Sequence, residues 1–261
     1  MKSKSHGNQN LNLISHAKAG DARAVASLLA LGVNPRGRES AALFEAAENG
    51  HADCVEILIP VSDPMAVNSR ALRHAARAGH AAVVQLLMAV SDAKADHSRA
   101  LAWAAQEGRV ECLRLLIPAS DPAAEDFRAL RFAASGGHAE CVELLIPFSH
   151  EGAEAIGESL VSAAYYGHAE CAKALMRSPA SLSATPRALY MAMDIGHASV
   201  VAAMIAHDPS LAGRIRHSHR KAAVRANKTE LAELLCSILE QQAIDESLPA
   251  SASPSPSRAR L

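Results

Sequence analysis

The chain has 261 residues and a net charge of −1 from 26 basic and 27 acidic side chains, which excludes a global field that would steer it to nucleic acid or to a membrane surface. Hydrophobic residues make up 49% of it and aromatic residues only 3%, so its core must be built from Ala, Leu, Val and Ile, as closely packed small helices require. No run approaches the ~20 apolar residues of a membrane span.

The first ten residues, M-K-S-K-S-H-G-N-Q-N, are polar and lack the apolar stretch of a secretory signal. Residues 1–10 are therefore expected to be disordered, and the protein to be cytoplasmic. Cys54, Cys112, Cys141, Cys171 and Cys236 agree with a reducing compartment, being odd in number and set on apolar helical positions.

From there a unit repeats. Glycines fall at Gly20, Gly50, Gly79, Gly108, Gly137, Gly167 and Gly196, most of them followed by His, and Asn227 stands in the same slot of a last degenerate copy. The spacings are 30, 29, 29, 29, 30, 29 and 31. A fixed period in this range means a solenoid whose units cover one another's apolar faces. Eight units follow, at about 11–39, 40–68, 69–97, 98–126, 127–156, 157–185, 186–217 and 218–243. In the unit from Ser69, a first helix opens with Ser69 as N-cap, carries Ala71, Leu72, Ala75 and Ala76, and ends at Gly79, suited to the left-handed C′ position. A second helix spans about Ala81 to Met88 with Val83, Val84, Leu87 and Met88 on one stripe. Pro60, Pro118 and Pro147 stop the corresponding helices elsewhere. After about Ala243 the Ser- and Pro-rich stretch to Leu261 has too few apolar residues to fold, so 244–261 is expected to be a disordered tail.

The core A-L-x-x-A-A-x-x-G-H-x-x-x-V-x-x-L-L resembles the ankyrin repeat, over roughly Asn12 to Gln242. The resemblance implies an all-α solenoid of helix-turn-helix units that binds another protein and catalyses nothing. This chain departs from the family where Thr-Pro-Leu-His is usual, having Arg70-Ala71-Leu72-Arg73 or Arg128-Ala129-Leu130-Arg131, and its units are about four residues short of the family's 33. Stubby loops are expected in place of β-hairpin fingers. The short repeats with their Leu-Ile-Pro-x-Ser-Asp-Pro loop look like those of bacterial members, which include cellular scaffolds and exported effectors.

His51/Cys54, His138/Cys141 and His168/Cys171 form an H-x-x-C pattern that places two zinc-ligand types on one helical face. This leaves a metal-binding or redox protein as the alternative class. Against it, two ligands per unit leave tetrahedral zinc half coordinated, and each Cys takes the slot of Val83 and Val200, a buried small hydrophobe. Neighbouring units spaced about 10 Å apart exceed the ~7 Å Cα limit for a disulfide. No nucleophile elbow or phosphate-binding glycine loop is present, so no cofactor, metal or catalytic residue is assigned.

Six of the scarce aromatics lie on first helices: Phe44, Trp103, Phe132, Tyr165, Tyr166 and Tyr190. In the family these helices line the concave side. The resemblance puts Trp103, Phe132, Tyr165 and Tyr166, with His74, on one outward face, while Phe44 and Tyr190 are expected to pack against neighbouring helices. Large aromatics on an Ala-rich surface are anchors for a protein partner. Arg70, Arg99, Arg128 and Arg187 share one repeat position, with Arg73, Arg77 and Arg131 close by. Ion pairs of that column with the loop acids Asp63, Asp92 and Asp121 are expected. The partner-binding set is Trp103, Phe132, Tyr165, Tyr166, His74, Arg73, Arg77 and Arg131, engaging a protein with an acidic or apolar surface. No nucleic acid and no membrane are expected as partners, the cluster Arg214 to Lys221 being read as a solvated loop, and the chain is expected to act as a monomer.

Overall fold

Each Gly-x turn reverses the chain, and each short helix has one apolar stripe, so the units stack as two layers. The computed structural model describes residues 2–149 and 152–247. The first helices of the units are α1 (Lys2–Ala19), α3 (Gly37–Glu48), α5 (Ala66–Ala78), α7 (Ala95–Gln106), α9 (Ala124–Gly136), α11 (Ala153–Tyr166), α13 (Thr185–Ile195) and α15 (His217–Arg225). Between them run the second helices α2 (Ala22–Ala30), α4 (Ala52–Leu58), α6 (Ala81–Met88), α8 (Val110–Leu116), α10 (Ala139–Leu145), α12 (Ala169–Met176), α14 (Ala198–His207) and α16 (Thr229–Ser247). Each first helix packs on the next first helix and each second helix on the next second helix, with no strand among the described residues.

The core repeats as the sequence does. Seven residues before each turn glycine stands a leucine, and Leu13, Leu43, Leu72, Leu101, Leu130, Leu160 and Leu189 are all buried. The paired alanines Ala46/Ala47, Ala75/Ala76, Ala104/Ala105, Ala133/Ala134 and Ala163/Ala164 have no exposed surface. Small side chains there let neighbouring first helices approach closely. Each buried leucine stabilises the stack by roughly 1.5–3 kcal/mol relative to an exposed one. The prolines end their helices as expected: α8 and α10 stop at Leu116 and Leu145, and the Ile-Pro that follows makes a 3-10 turn.

Two features of the units differ from the sequence reading. The right-handed first helices of the second to fifth units are each preceded by three residues in the left-handed region, among them Val67-Asn68-Ser69 and Asp96-His97-Ser98 with φ between 51° and 57°. Ser69 is thus no N-cap for its own helix. Its hydroxyl accepts the backbone N–H of Asp92, in the loop that ends the same unit, at 2.9 Å, and Ser40 and Ser98 do the same for Asp63 and Asp121. The acids in turn fold their own loops, the carboxylate oxygens of Asp63, Asp92 and Asp121 accepting N–H groups two residues on at 2.9–3.0 Å. Asx turns of this kind compete with ion pairing for the same oxygens.

At the ends, α1 takes in Lys2 to Asn10 and α16 runs to Ser247, four residues past the expected boundary. Extending a helix already formed costs little beside nucleating one. The remaining residues of the Ser/Pro tail, 248–261, lie outside the described residues.

Candidate protein-interaction face

The Gly-His pair sets the register between units. His51, His80, His138, His168 and His197 stand at the N-cap positions of second helices yet cap nothing in their own helix. Each ring instead reaches back, Nε2–H donating to the carbonyl of Lys18, Glu48, Gln106, Ser135 or Tyr165 at 2.9–3.0 Å. A carbonyl only accepts, so the proton must sit on Nε2. Arg109 and Lys228 replace His in two units and reach the carbonyls of Arg77 and Asp194.

This geometry bears on the H-x-x-C pattern. The histidine Nε2 atoms are committed to the backbone, and Cys54, Cys112, Cys141 and Cys171 are buried among core residues as free thiols. Burial pushes the thiols of Cys112, Cys141 and Cys171 up to about 11, away from the thiolate that metal binding and redox chemistry need. Among the described residues, no three His, Cys, Asp or Glu side chains cluster to hold an ion.

On the first helices, Phe44, His74 and Trp103 form an edge-to-face file with ring centroids 4.8 and 5.2 Å apart. Guanidinium groups cover the file: Arg70 lies 3.7 Å over Phe44, and Arg73, Arg77 and Arg99 surround Trp103 at 5.6, 5.6 and 5.8 Å. Arg128 lies 5.8 Å from the Phe132 ring. Trp103 and Phe132 are half-buried. His74 donates from Nδ1 to Glu48 at 3.0 Å, and burial, partly opposed by that contact, holds its pKa below the usual histidine value.

The arginines are more engaged than the sequence suggests. Arg73 is 8% exposed, its guanidinium held between Asp96 at 2.6 Å and the Val67 carbonyl at 2.9 Å. Arg99 joins the same Asp96 at 2.9 Å, Arg128 pairs with Glu125, and Arg187 pairs with Glu158 at 2.5 Å. The acids that pair with Arg99, Arg128 and Arg187 of the column are therefore Asp96, Glu125 and Glu158, not the loop acids Asp63, Asp92 and Asp121, while Arg70 lies over the Phe44 ring. Arg131 donates to the Glu125 carbonyl at 3.1 Å and lies 3.7 Å from Asp126, while the exposed Arg77 reaches Glu107 at 3.4 Å.

The aromatic set thus divides. Trp103 and Phe132 lie under guanidinium groups, whereas Tyr165 and Tyr166, 5.0 Å apart edge to face, are 46% and 55% exposed. Phe44 is buried as expected, but Tyr190 is 44% exposed, because the helix beside it, α15, does not close over it. In the slot seven residues before the turn, where the other units have leucine, α15 has Arg220. A groove of about 820 Å³ lies between the two helices, lined by Tyr190, Met191 and Met193 of α13, by His219 and Ala222 of α15 and by Ala226 just past its end. The repeat pattern alone does not mark this groove in the sequence.

The family pattern described as ankyrin repeats matches three times, over residues 13–98, 72–157 and 101–186. The chain belongs to the ankyrin-repeat family. Ankyrin repeats are generally protein–protein interaction modules and typically non-enzymatic. Among solved structures, this ankyrin-repeat chain is similar to the human ASB11 ankyrin repeat domain, with a TM-score of 0.64 and 23% identity, over 75% of this chain and 97% of that one. At that identity the likeness speaks to the fold. No curated protein sequence matches. No described helix of this ankyrin-repeat chain is long and apolar enough to cross a membrane.

Proposed function

We propose that this ankyrin-repeat chain is a non-enzymatic scaffold that binds a partner protein on the concave face of its first helices, acting as a monomer in the cytoplasm. Trp103, Phe132, Tyr165 and Tyr166 are the anchors, with His74, Arg73, Arg77 and Arg131 around them, and the partner surface is acidic or apolar. The observation that carries this reading is the exposure of the Tyr165–Tyr166 pair in a chain with eight aromatic side chains. Tyrosine and tryptophan lose little rotamer entropy on contact and bury much area, so they dominate interface energetics.

Affinity capture from lysate, read by mass spectrometry, tests it with wild type beside Tyr165→Ala/Tyr166→Ala and Trp103→Ala/Tyr166→Ala. The expected result is a protein held by wild type and lost by both variants, with helical signal intact. Truncating such an anchor costs about 2 kcal/mol, or roughly thirtyfold in affinity. Identical captures with all three proteins would overturn the assignment of these residues.

A further inference from the structure

The groove between α13 and α15 lies apart from the Trp103 file, and it combines an apolar floor with basic surroundings. Its floor is largely apolar: Tyr190, Met191, Met193, Ala222 and Ala226 face it. Its surroundings are basic. From Pro209 to Thr229 the chain carries Arg214, Arg216, Arg220, Lys221, Arg225 and Lys228 with no acidic residue, in a protein whose net charge is −1.

Those cations lack the carboxylate partners that several arginines of the first helices have. Arg73, Arg99, Arg128 and Arg187 each have a carboxylate partner. Among the described residues, none of the six between Pro209 and Thr229 has a carboxylate within 4.0 Å. Arg216 turns back on the carbonyls of Gly213 and Ile215, and Lys228 on that of Asp194, leaving Arg214, Arg220, Lys221 and Arg225 to solvent. His219, Ala222 and Ala223 of α15, with Ala226 just past its end, form the i, i+3, i+4, i+7 stripe that faces the groove. Arg220 and Arg225 are exposed on α15 outside the lining itself, each next in sequence to a lining residue, His219 and Ala226, and Arg220 also borders a smaller pocket with Glu233 of α16. One acid, Asp194, lines the floor.

We propose that this groove docks a short acidic segment of a partner protein, its apolar side chains on Tyr190 and the methionines and its carboxylates against Arg220 and Arg225. The inference rests on the reading of the chain as a protein-binding scaffold, but not on the Trp103 and Tyr166 face. Charge complementarity names the sign of the partner, and the apolar floor favours a protein over a nucleic acid. A phosphate backbone would meet the cations but has no apolar side chains to bury in a cleft of this size.

The test selects displayed random 12-residue peptides against the full chain and measures the recovered peptides, fluorescein-labelled, by anisotropy. A labelled 20-nucleotide single-stranded DNA is titrated in parallel. The expected sequences combine Asp or Glu with Leu, Phe, Trp or Met, and bind at least tenfold more weakly to Arg220→Glu/Arg225→Glu and to Tyr190→Ala while binding Tyr166→Ala as they bind wild type. All substituted side chains are exposed, and circular dichroism checks that the helices persist. Recovery of no acidic sequences, or acidic peptides indifferent to the Arg220/Arg225 and Tyr190 variants, overturns the proposal. DNA bound with that same dependence, in place of peptides, overturns it in favour of a nucleic-acid surface. Peptides lost only by Tyr166→Ala sink the groove while leaving the scaffold reading intact.

Discussion

The imidazole of His80 occupies the space that a side chain on Gly50 would need: a Cβ added there would lie 2.6 Å from His80 Nδ1, while His80 Nε2 meets the carbonyl of Glu48 at 3.0 Å. Gly50 also has φ +79°, which penalises a Cβ by about 1–2 kcal/mol. Gly50→Ala is therefore expected to cost about 2–4 kcal/mol, the backbone penalty plus overpacking against the ring. His80→Ala should cost about 1–3 kcal/mol by leaving the Glu48 carbonyl unpartnered. In the His80→Ala background only the backbone penalty of Gly50→Ala survives, so the two losses are less than additive. Urea unfolding of the four proteins measures this; strict additivity would mean that the ring does not set the glycine.

That pairing shows how much was legible. The Gly-His spacing, the buried Cys slots and the proline stops are side-chain signals that repeat once per unit, and they predicted turns, core and helix ends. The connecting loops mislead although their residues repeat just as faithfully. Ser40, Ser69 and Ser98 occupy one column, and Asp63, Asp92 and Asp121 another. A serine before a helix reads as an N-cap, and an aspartate near a column of arginines reads as an ion pair. In the fold they belong to each other, across 23 residues, through the backbone N–H of the aspartate. No propensity announces the left-handed turn that aims the serine, since β-branched Val67 at φ 51° disfavours it. On the candidate face, sequence placed Tyr165 and Tyr166 at the surface but missed Asp96, which absorbs two of the arginines.

The serine column makes its own prediction. Ser98→Ala removes the acceptor for the part-buried Asp121 N–H and should destabilise by about 1–3 kcal/mol. Phe127 stands in the same column one unit later, and a Cβ on Gly152 would collide with its ring. There packing takes the place of the hydrogen bond. Ser98→Ala with an unchanged urea midpoint would show that the N–H finds water instead.

Asp96 and Glu140 separate a sheltered ion pair from an exposed one. Asp96 holds Arg73 and Arg99 with Arg73 almost fully covered, whereas Arg114 and Glu140 meet at 2.8 Å with both side chains about half exposed. Asp96→Ala should cost about 1.5–3 kcal/mol, the range for charge-assisted hydrogen bonds, and Glu140→Gln less than about 1 kcal/mol. Raising salt to ~0.5 M should erase the second difference and spare the first, because screening acts on solvated charges. Equal losses at both sites would contradict the burial of Arg73.

The cysteines give a chemical readout. Cys236, on α16, is partly exposed, whereas Cys54, Cys112, Cys141 and Cys171 are buried. With three of those thiols pushed up to about 11 by burial, a thiol-specific disulfide reagent at pH 8 should modify Cys236 first and the rest only as the solenoid opens. Cys236→Ser should abolish the fast phase. A fast phase of more than one equivalent would place another cysteine at the surface.

His74 ties the aromatic file to pH. Burial between Phe44 and Trp103, with Arg70 and Arg73 nearby, lowers its pKa, and Glu48 only partly restores it. The unfolded chain, in which this histidine titrates near its ordinary value of about 6.5, binds the proton more readily than the folded one. Stability linked to His74 is therefore fully present above about pH 6.5 and is lost as pH falls through the depressed folded value. His74→Gln, neutral throughout, should show a smaller drop in urea midpoint between pH 7.5 and 5.5 than wild type, whatever its absolute stability. A larger drop in the variant would mean that Glu48 outweighs burial and that the folded protein favours the charged ring, a state that would also strengthen the basic character of the surface around Trp103.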